Sequence, residues 1–274
     1  MNILFLGGNR FFGKKLLRKL IKRKKLTIYL INRGNKPNIK SNNIIHIKTN
    51  REDTNYIKKR LKNLEFDMVF DNIAYKVKDV ADTIKLLNQK KLKYIFVSSI
   101  MTKFIKNNYF NLLKKNYTLD EINYGRKKLK IENFLIRKKI NCKILRIHSV
   151  LSSTDFSKKS KDLICATQKD RNKYEILNKN KFQFLYDEDL VNIIYKIIFN
   201  FSKTNNKFFE LANEPMTVEN FYDKIKITKK NYRINRSKFP FPVNLIINNR
   251  IAQNLLNINL TNNLKILKKI QTIL

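Results

Sequence analysis

Apolar residues fall into short runs along the first half of the chain, each followed by a turn and then by an amphipathic stretch. Residues 2–6 form a run suited to a buried strand, ended by Gly7-Gly8. From Phe11 onward, Phe12, Leu16, Leu17, Leu20 and Ile21 recur at helical spacing, up to a basic end near Lys25. Residues 26–31 predict a second strand, closed by Asn32-Arg33-Gly34, and residues 44–47 a third, followed by a polar helix through Tyr56 and Leu61. Residues 68–70 and 94–97 predict two more, the latter ending in Ser98-Ser99, with a helix over 80–87 between them. A helix near 121–136 and a strand over 143–147 complete the alternation.

Continuously apolar strands alternating with helices indicate a parallel sheet covered on both faces. Residues 1–150 therefore read as a doubly wound α/β domain of Rossmann type. Such folds bind ligands at the carboxyl ends of their strands, near the point where strand order reverses. Those ends are Gly7, Asn32, Asp71 and Ser98-Ser99. After Ser149 the regularity weakens. Residues 151–181 are polar and read as a loop and helix over the sheet edge. A strand over 182–185, a helix from Asp187, a strand over 208–211 and a helix after Pro215 follow. Residues 151–274 are expected to form a smaller C-terminal substrate-binding lobe, part of it packing back on the sheet.

With 274 residues the chain can bury a real core, and an apolar share of 43% excludes a disordered polyelectrolyte despite a net charge of +38. No apolar run approaches the ~18 residues of a membrane span. The opening Met1-Asn2-Ile3-Leu4-Phe5-Leu6 is too short for a signal peptide. Cys142 and Cys165 are too few for a disulfide scaffold or a cysteine-based zinc site. A cytoplasmic protein is expected. The charge raises the question of nucleic acid. It consists of 46 Lys and only 13 Arg, with scarce Gly, Pro and Trp, so one A/T-rich codon bias accounts for all of it. A phosphate-binding surface draws more on the bidentate guanidinium. Compositional bias is the leading reading, and the charge alone leaves a nucleic-acid role open.

The bias makes glycine informative. Four of the five, Gly7, Gly8, Gly13 and Gly34, lie in the first 34 residues, and Gly125 follows Tyr124. The segment Gly7-Gly8-Asn9-Arg10-Phe11-Phe12-Gly13 joins the first strand to the first helix. Gly7 allows a tight turn, Gly13 allows close helix packing, and exposed amides at the helix start can hold a pyrophosphate. A dinucleotide site is the expectation. Tyr124 and Lys128, four apart, share one helical face, where an ammonium lowers the pKa of a phenol.

This loop, with Arg10 at its centre, and Asn32-Arg33-Gly34 together resemble the extended short-chain dehydrogenase/reductase superfamily. The likeness is to its Gly-Gly-Thr-Arg-Phe-Ile-Gly branch of NAD-dependent epimerases/dehydratases, which includes chloroplast stem-loop-binding proteins. The resemblance implies an NAD or NADP cofactor held by Gly7, Gly8, Arg10, Phe11, Phe12, Gly13, Asn32, Arg33, Ala74 and Lys128. It implies a proton relay of Ser99, Tyr124 and Lys128, hydride transfer on a nucleotide-linked sugar, and a homodimer paired through the Tyr-Lys helix. No metal is expected, since His46 and His148 lack ligand-spaced neighbours and read as structural.

Two departures refine this. The family commonly has glycine where Arg10 stands and an acid where Asn32 stands. An acid repels a 2′-phosphate, whereas Arg10 and Arg33 attract one, so NADP is expected at least as readily as NAD. After the catalytic Ser/Thr, the family's dehydratases carry Asp-Glu; here Ile100-Met101 follow, which disfavours dehydration and leaves epimerisation or carbonyl reduction. Weaker echoes are Asp71-Asn72-Ile73-Ala74-Tyr75, which passes the cofactor, and Leu145-Arg146-Ile147. A third is Asp187-Glu188-Asp189-Leu190, with Asp189 expected to cap a helix. The alternatives are an RNA-binding protein built on this fold, and a cofactor-binding scaffold without turnover.

Overall fold

The computed structural model describes residues 1–35, 39–88, 91–154, 159–164, 177, 179–224, 239 and 241–271. The chain runs β1 (Asn2–Leu6), α1 (Phe11–Leu20), β2 (Thr27–Asn32), β3 (Ile44–Lys48), α2 (Thr54–Leu61), β4 (Met68–Asp71), α3 (Val77–Leu87) and β5 (Lys93–Ser99). Next come α4 (Met101–Lys106), α5 (Phe110–Asn116), α6 (Leu119–Arg137), β6 (Cys142–Ile147), β7 (Val150–Leu151) and α7 (Lys159–Ile164). The remaining elements are β8 (Lys181–Phe182), β9 (Leu185–Tyr186), α8 (Asp187–Phe199), β10 (Phe208–Leu211), β11 (Met216–Thr217), α9 (Val218–Lys224), α10 (Arg250–Leu256) and α11 (Asn263–Gln271).

Seven strands make one sheet in the order β10-β6-β5-β4-β1-β2-β3, and every pairing is parallel. The central strands are buried along their length because both faces are covered. One face packs Ile3, Phe5 and Phe70 against Leu16 and Leu20 of α1 and Ile194 and Ile197 of α8. The other packs Leu4, Val69 and Phe96 against α2, α3 and Ile131 and Leu135 of α6. Strand order reverses between β1 and β4, so the loops leaving these two strands flank a crevice. The doubly wound sheet is the one expected.

The details differ in instructive ways. The first helix stops at Leu20, ahead of the exposed run Lys22-Arg23-Lys24-Lys25, while Lys90 and Cys165 lie outside the described residues. The two short helices α4 and α5 had no clear periodic signal, being too short to show one. The single strand expected over 182–185 is two, with β8 pairing antiparallel to β11 and β9 parallel to β7. Of the polar stretch 151–181, residues 155–158, 165–176 and 178 lie outside the described residues. Gly125 does not serve backbone freedom: a Cβ there would stand 2.8 Å from Ile105 Cδ1 and 3.1 Å from Met101 Cβ, so it lets α4 lie against α6.

The residues past 151 have their own aromatic core around Phe182, Phe184, Phe221 and Phe241. Asp189 does not cap α8. Its carboxylate instead accepts from Asn213 Nδ2 at 2.9 Å and from Thr261 Oγ1 at 2.7 Å, tying α8 to the segment before α11. His148, buried after β6, donates from Nε2 to Leu245 O at 3.1 Å and accepts the Ser149 amide on Nδ1 at 2.9 Å. Burial pulls its pKa down to about 4, so it stays neutral and structural. No helix among the described residues is long and apolar enough to cross a membrane.

Candidate functional site

At the carboxyl ends of β1, β2 and β4 the surface opens into a cleft of about 1060 Å³. Its first wall is the turn from β1 into α1. Gly7 has φ +80°, a left-handed conformation, and a Cβ on it would come within 2.5 Å of Ile73 Cγ2. The chain therefore accepts only glycine there. A Cβ on Gly13 would stand 3.1 Å from Gly8 Cα, which explains how tightly α1 seats on the loop. Phe11 opens the helix at φ 57°, a conformation that costs a non-glycine residue about 1 kcal/mol. No acid occupies the first turn of α1, so its N-terminal amides and positive dipole end face the cleft uncompensated by an acidic side chain.

The second wall follows β2. Asn32 Oδ1 accepts from the Gly34 amide at 2.8 Å and lies 3.0 Å from His46 Nε2. Asn32 Nδ2 is buried and has no partner among the described residues. Arg33, which also lines this wall, is exposed.

Behind the cleft, Asp71 at the end of β4 is completely buried. Arg51 grips it with two parallel bonds of 2.9 and 3.0 Å, Tyr94 donates to it at 2.6 Å, and the Ile73 amide donates at 3.0 Å. Its lone pairs are used up, so this strand end, expected to meet ligand, is a structural clamp. The clamp fixes the loop that carries Asn72, Ile73 and Tyr75 along the cleft. Sequence reasoning missed Arg51, which lies in the turn before α2, because its partner is 20 residues away at the end of β4.

The third wall is α6. A capping box of Thr118 and Glu121 starts it, and Tyr124 and Lys128 lie on its cleft face. Tyr124 is 37% exposed, toward the cleft, whereas Lys128 is only 1% exposed. Lys128 Nζ donates to Val97 O at 2.9 Å and lies 5.5 Å from the Tyr124 ring centroid. Burial pulls the Lys128 ammonium down to about 8, with Arg51 adding to the fall and Asp71 opposing it. The expected lowering of Tyr124 is not seen. Desolvation, with the neighbouring Tyr75 adding to it, raises its pKa, because removing water disfavours the phenolate.

The two serines at the end of β5 separate cleanly. Ser98 is buried and donates to Glu132 Oε1 at 2.5 Å, in a network with Thr102 and Arg146. Ser99 is half-buried, and its Oγ accepts from the Met101 amide at 3.3 Å. Of the residues singled out by sequence, Gly7, Gly8, Arg10, Phe11, Phe12, Asn32, Arg33, Tyr124 and Lys128 line one cleft. Gly13, Ala74 and Ser99 do not line it: Gly13 and Ala74 are buried behind it, and Ser99 ends β5 beside it.

No family model and no curated protein matches the chain in sequence. Solved structures do match it. A UDP-glucose 4-epimerase superposes with a TM-score of 0.69 over 100% of this chain and 97% of its own, at 15% identity. The UDP-glucuronic acid 4-epimerase of Bacillus cereus, in complex with UDP-glucuronic acid and NAD, gives 0.66 over 100% and 98%, at 14% identity. Vestitone reductase from alfalfa gives 0.68 over 99% and 97%, at 10% identity. The chain shares the fold of these enzymes.

A buried amine with a depressed pKa leaves a signature in stability. Between pH about 8 and the ordinary value of 10.5 the unfolded chain holds a proton on Lys128 that the folded protein does not. Stability is therefore expected to rise with pH across that window. Urea unfolding from pH 7 to 10.5 should show this rise in the wild type and a flatter profile in Lys128→Met.

Proposed function

We propose that the protein is an NAD(P)-dependent epimerase or reductase acting on a nucleotide-linked sugar, with Tyr124 as its proton donor and acceptor. The observation that carries this reading is one cleft lined by both the Gly7-Gly8 turn at the start of α1 and the Tyr124–Lys128 pair of α6. Two features support the fit of a dinucleotide. Glycines at 7 and 8, where a Cβ would meet Ile73, Leu17 and Phe5, let the turn lie close on the sheet along the cleft, and Asn32 Nδ2 is a buried donor waiting for an acceptor where the family holds its adenosine ribose. Gly7, Gly8, Phe11 and Phe12 would cradle the phosphates, and Asn32, Arg33 and Arg10 the adenosine half. When bound, the dinucleotide supplies the hydride donor and acceptor.

The chain's own residues handle the proton. Tyr124, its pKa raised by burial, keeps its hydroxyl proton at neutral pH and is poised to give it to a carbonyl oxygen. Lys128 sits beside it and donates to Val97 O, and its ammonium carries two further N–H groups that can reach a ribose or the phenol oxygen. Ser99 Oγ accepts the Met101 amide and keeps its own proton to donate toward the substrate oxygen. Ile100 and Met101, buried in the apolar contact beneath α4, supply no acid for an elimination, which supports reduction or epimerisation over dehydration. With no carboxylate at position 32 and Arg33 exposed on the same wall, NADP is held at least as well as NAD.

Titrating the purified protein with NADPH and NADH, followed by nicotinamide fluorescence, should give saturable binding of at least one. Arg33→Ala should weaken NADPH about tenfold more than NADH, since one charged contact to a phosphate contributes on the order of 1.4 kcal/mol. Absence of binding for both would overturn the assignment. Tyr124→Phe should retain cofactor binding while losing turnover of UDP-sugars by at least about a hundredfold. Retained turnover in that variant would remove Tyr124 from the mechanism.

A further inference from the structure

Tyr75 stands out among the cleft residues. It is 48% exposed, although Ala74 just before it is fully buried. Its backbone is pinned: the amides of Tyr75 and Lys76 both donate to Asp79 Oδ2, at 2.8 and 3.0 Å, in the turn that begins α3. A large aromatic side chain on a fixed backbone has only two torsions to settle, so it makes a well-defined wall. Its ring centroid lies 5.9 Å from that of Tyr124, and 5.1 Å from Lys128 Nζ. Phe96, from β5, lies 4.8 Å from the same ammonium on the protein side.

Lys128 Nζ therefore lies within cation–π range of three rings, Tyr75, Phe96 and Tyr124, with the Val97 carbonyl as its hydrogen-bond acceptor. The carboxylates that act on it, Asp71, Asp79 and Glu132, do so at a distance, and each is engaged elsewhere: Asp71 by Arg51, Asp79 by the capping amides, Glu132 by Arg146. Phe96 is completely buried and Tyr124 belongs to the same helix as the lysine, so Tyr75 is the wall supplied by a separate loop and the one most open to water.

We propose that Tyr75 is a positioning residue for Lys128, closing the solvent side of an aromatic box that holds the ammonium against the Val97 carbonyl and keeps water from it. The proposal rests on the role given to Lys128 above. It assigns a purpose to the last residue of the Asp71–Tyr75 segment, whose preceding residues serve the clamp and the cleft floor. The ring, not the hydroxyl, does the closing. Phenylalanine should serve as well, whereas an aliphatic side chain should let water reach the ammonium and relieve the desolvation that depresses it, with Asp71, Asp79, Glu132 and Arg51 left in place.

The test is a pH titration of the protein alone, with its lysines labelled at Cε with ¹³C and observed by NMR. The Lys128 signal is the one missing in Lys128→Met. In the wild type its midpoint should fall near pH 8. Tyr75→Leu and Tyr75→Met should both move the midpoint up by about one pH unit, and Tyr75→Phe should leave it within about 0.3. Midpoints unmoved in the aliphatic variants, or moved as far in Tyr75→Phe, would overturn the proposal. A thermal melt of each variant verifies that it is folded, and having two aliphatic variants keeps the test decisive if one is not. No cofactor is present, so failure here is distinguishable from failure of the cofactor reading, which the NADPH titration decides.

Discussion

An all-parallel sheet with both faces covered by helices leaves its central strands only their ends to meet water. Every other constraint in this molecule follows from that one. The seven strands point the same way, so their carboxyl ends gather on one side, and the reversal of strand order between β1 and β4 opens a crevice there without any strand being removed. The helix following β1 presents its amino end to that crevice, which gives it backbone N–H groups and a positive potential before any side chain is considered. The geometry of the sheet thus fixes where polar chemistry can occur, and the side chains decide what kind.

Desolvation governs that decision. The third wall of the cleft holds a buried lysine and, four residues away, a tyrosine that opens to the cleft, and desolvation acts on both toward the neutral form. The lysine's pKa is drawn down to about 8 and the phenol is kept protonated. A network of fully engaged charges stands behind them, in which Arg51, Asp71 and Tyr94 satisfy one another and Glu132 is shared by Arg146, Ser98 and Thr102. Such satisfied buried groups hold the loops in one arrangement, because removing any partner would leave an uncompensated charge in the interior.

The strands and the glycine turn were legible in the sequence because their signals are local. Continuous apolar runs and glycines placed in a glycine-poor chain need no knowledge of distant partners, and the strand, turn and helix start over residues 2–13 were readable for that reason. Tyr124 and Lys128 could be paired because a helix of 19 residues preserves the i, i+4 relation. The rest depends on contacts between distant segments. Asp71 reads as a ligand-facing strand end until Arg51 is found folded onto it, Asp189 reads as a helix cap until Thr261 arrives, and Gly125 shows its use only once α4 lies against it. The sign of the Tyr124 shift was missed for the same reason: the sequence shows the ammonium beside the phenol but not the burial that outweighs it.

The central claim is that the glycine turn and the Tyr-Lys helix serve one ligand. Hydrogen–deuterium exchange with and without NADPH tests it most directly. The account predicts that NADPH slows exchange in residues 7–13 and in the segment around Lys128 together, with the same concentration dependence. Protection of one segment without the other, or protection confined to a different part of the chain, would contradict it.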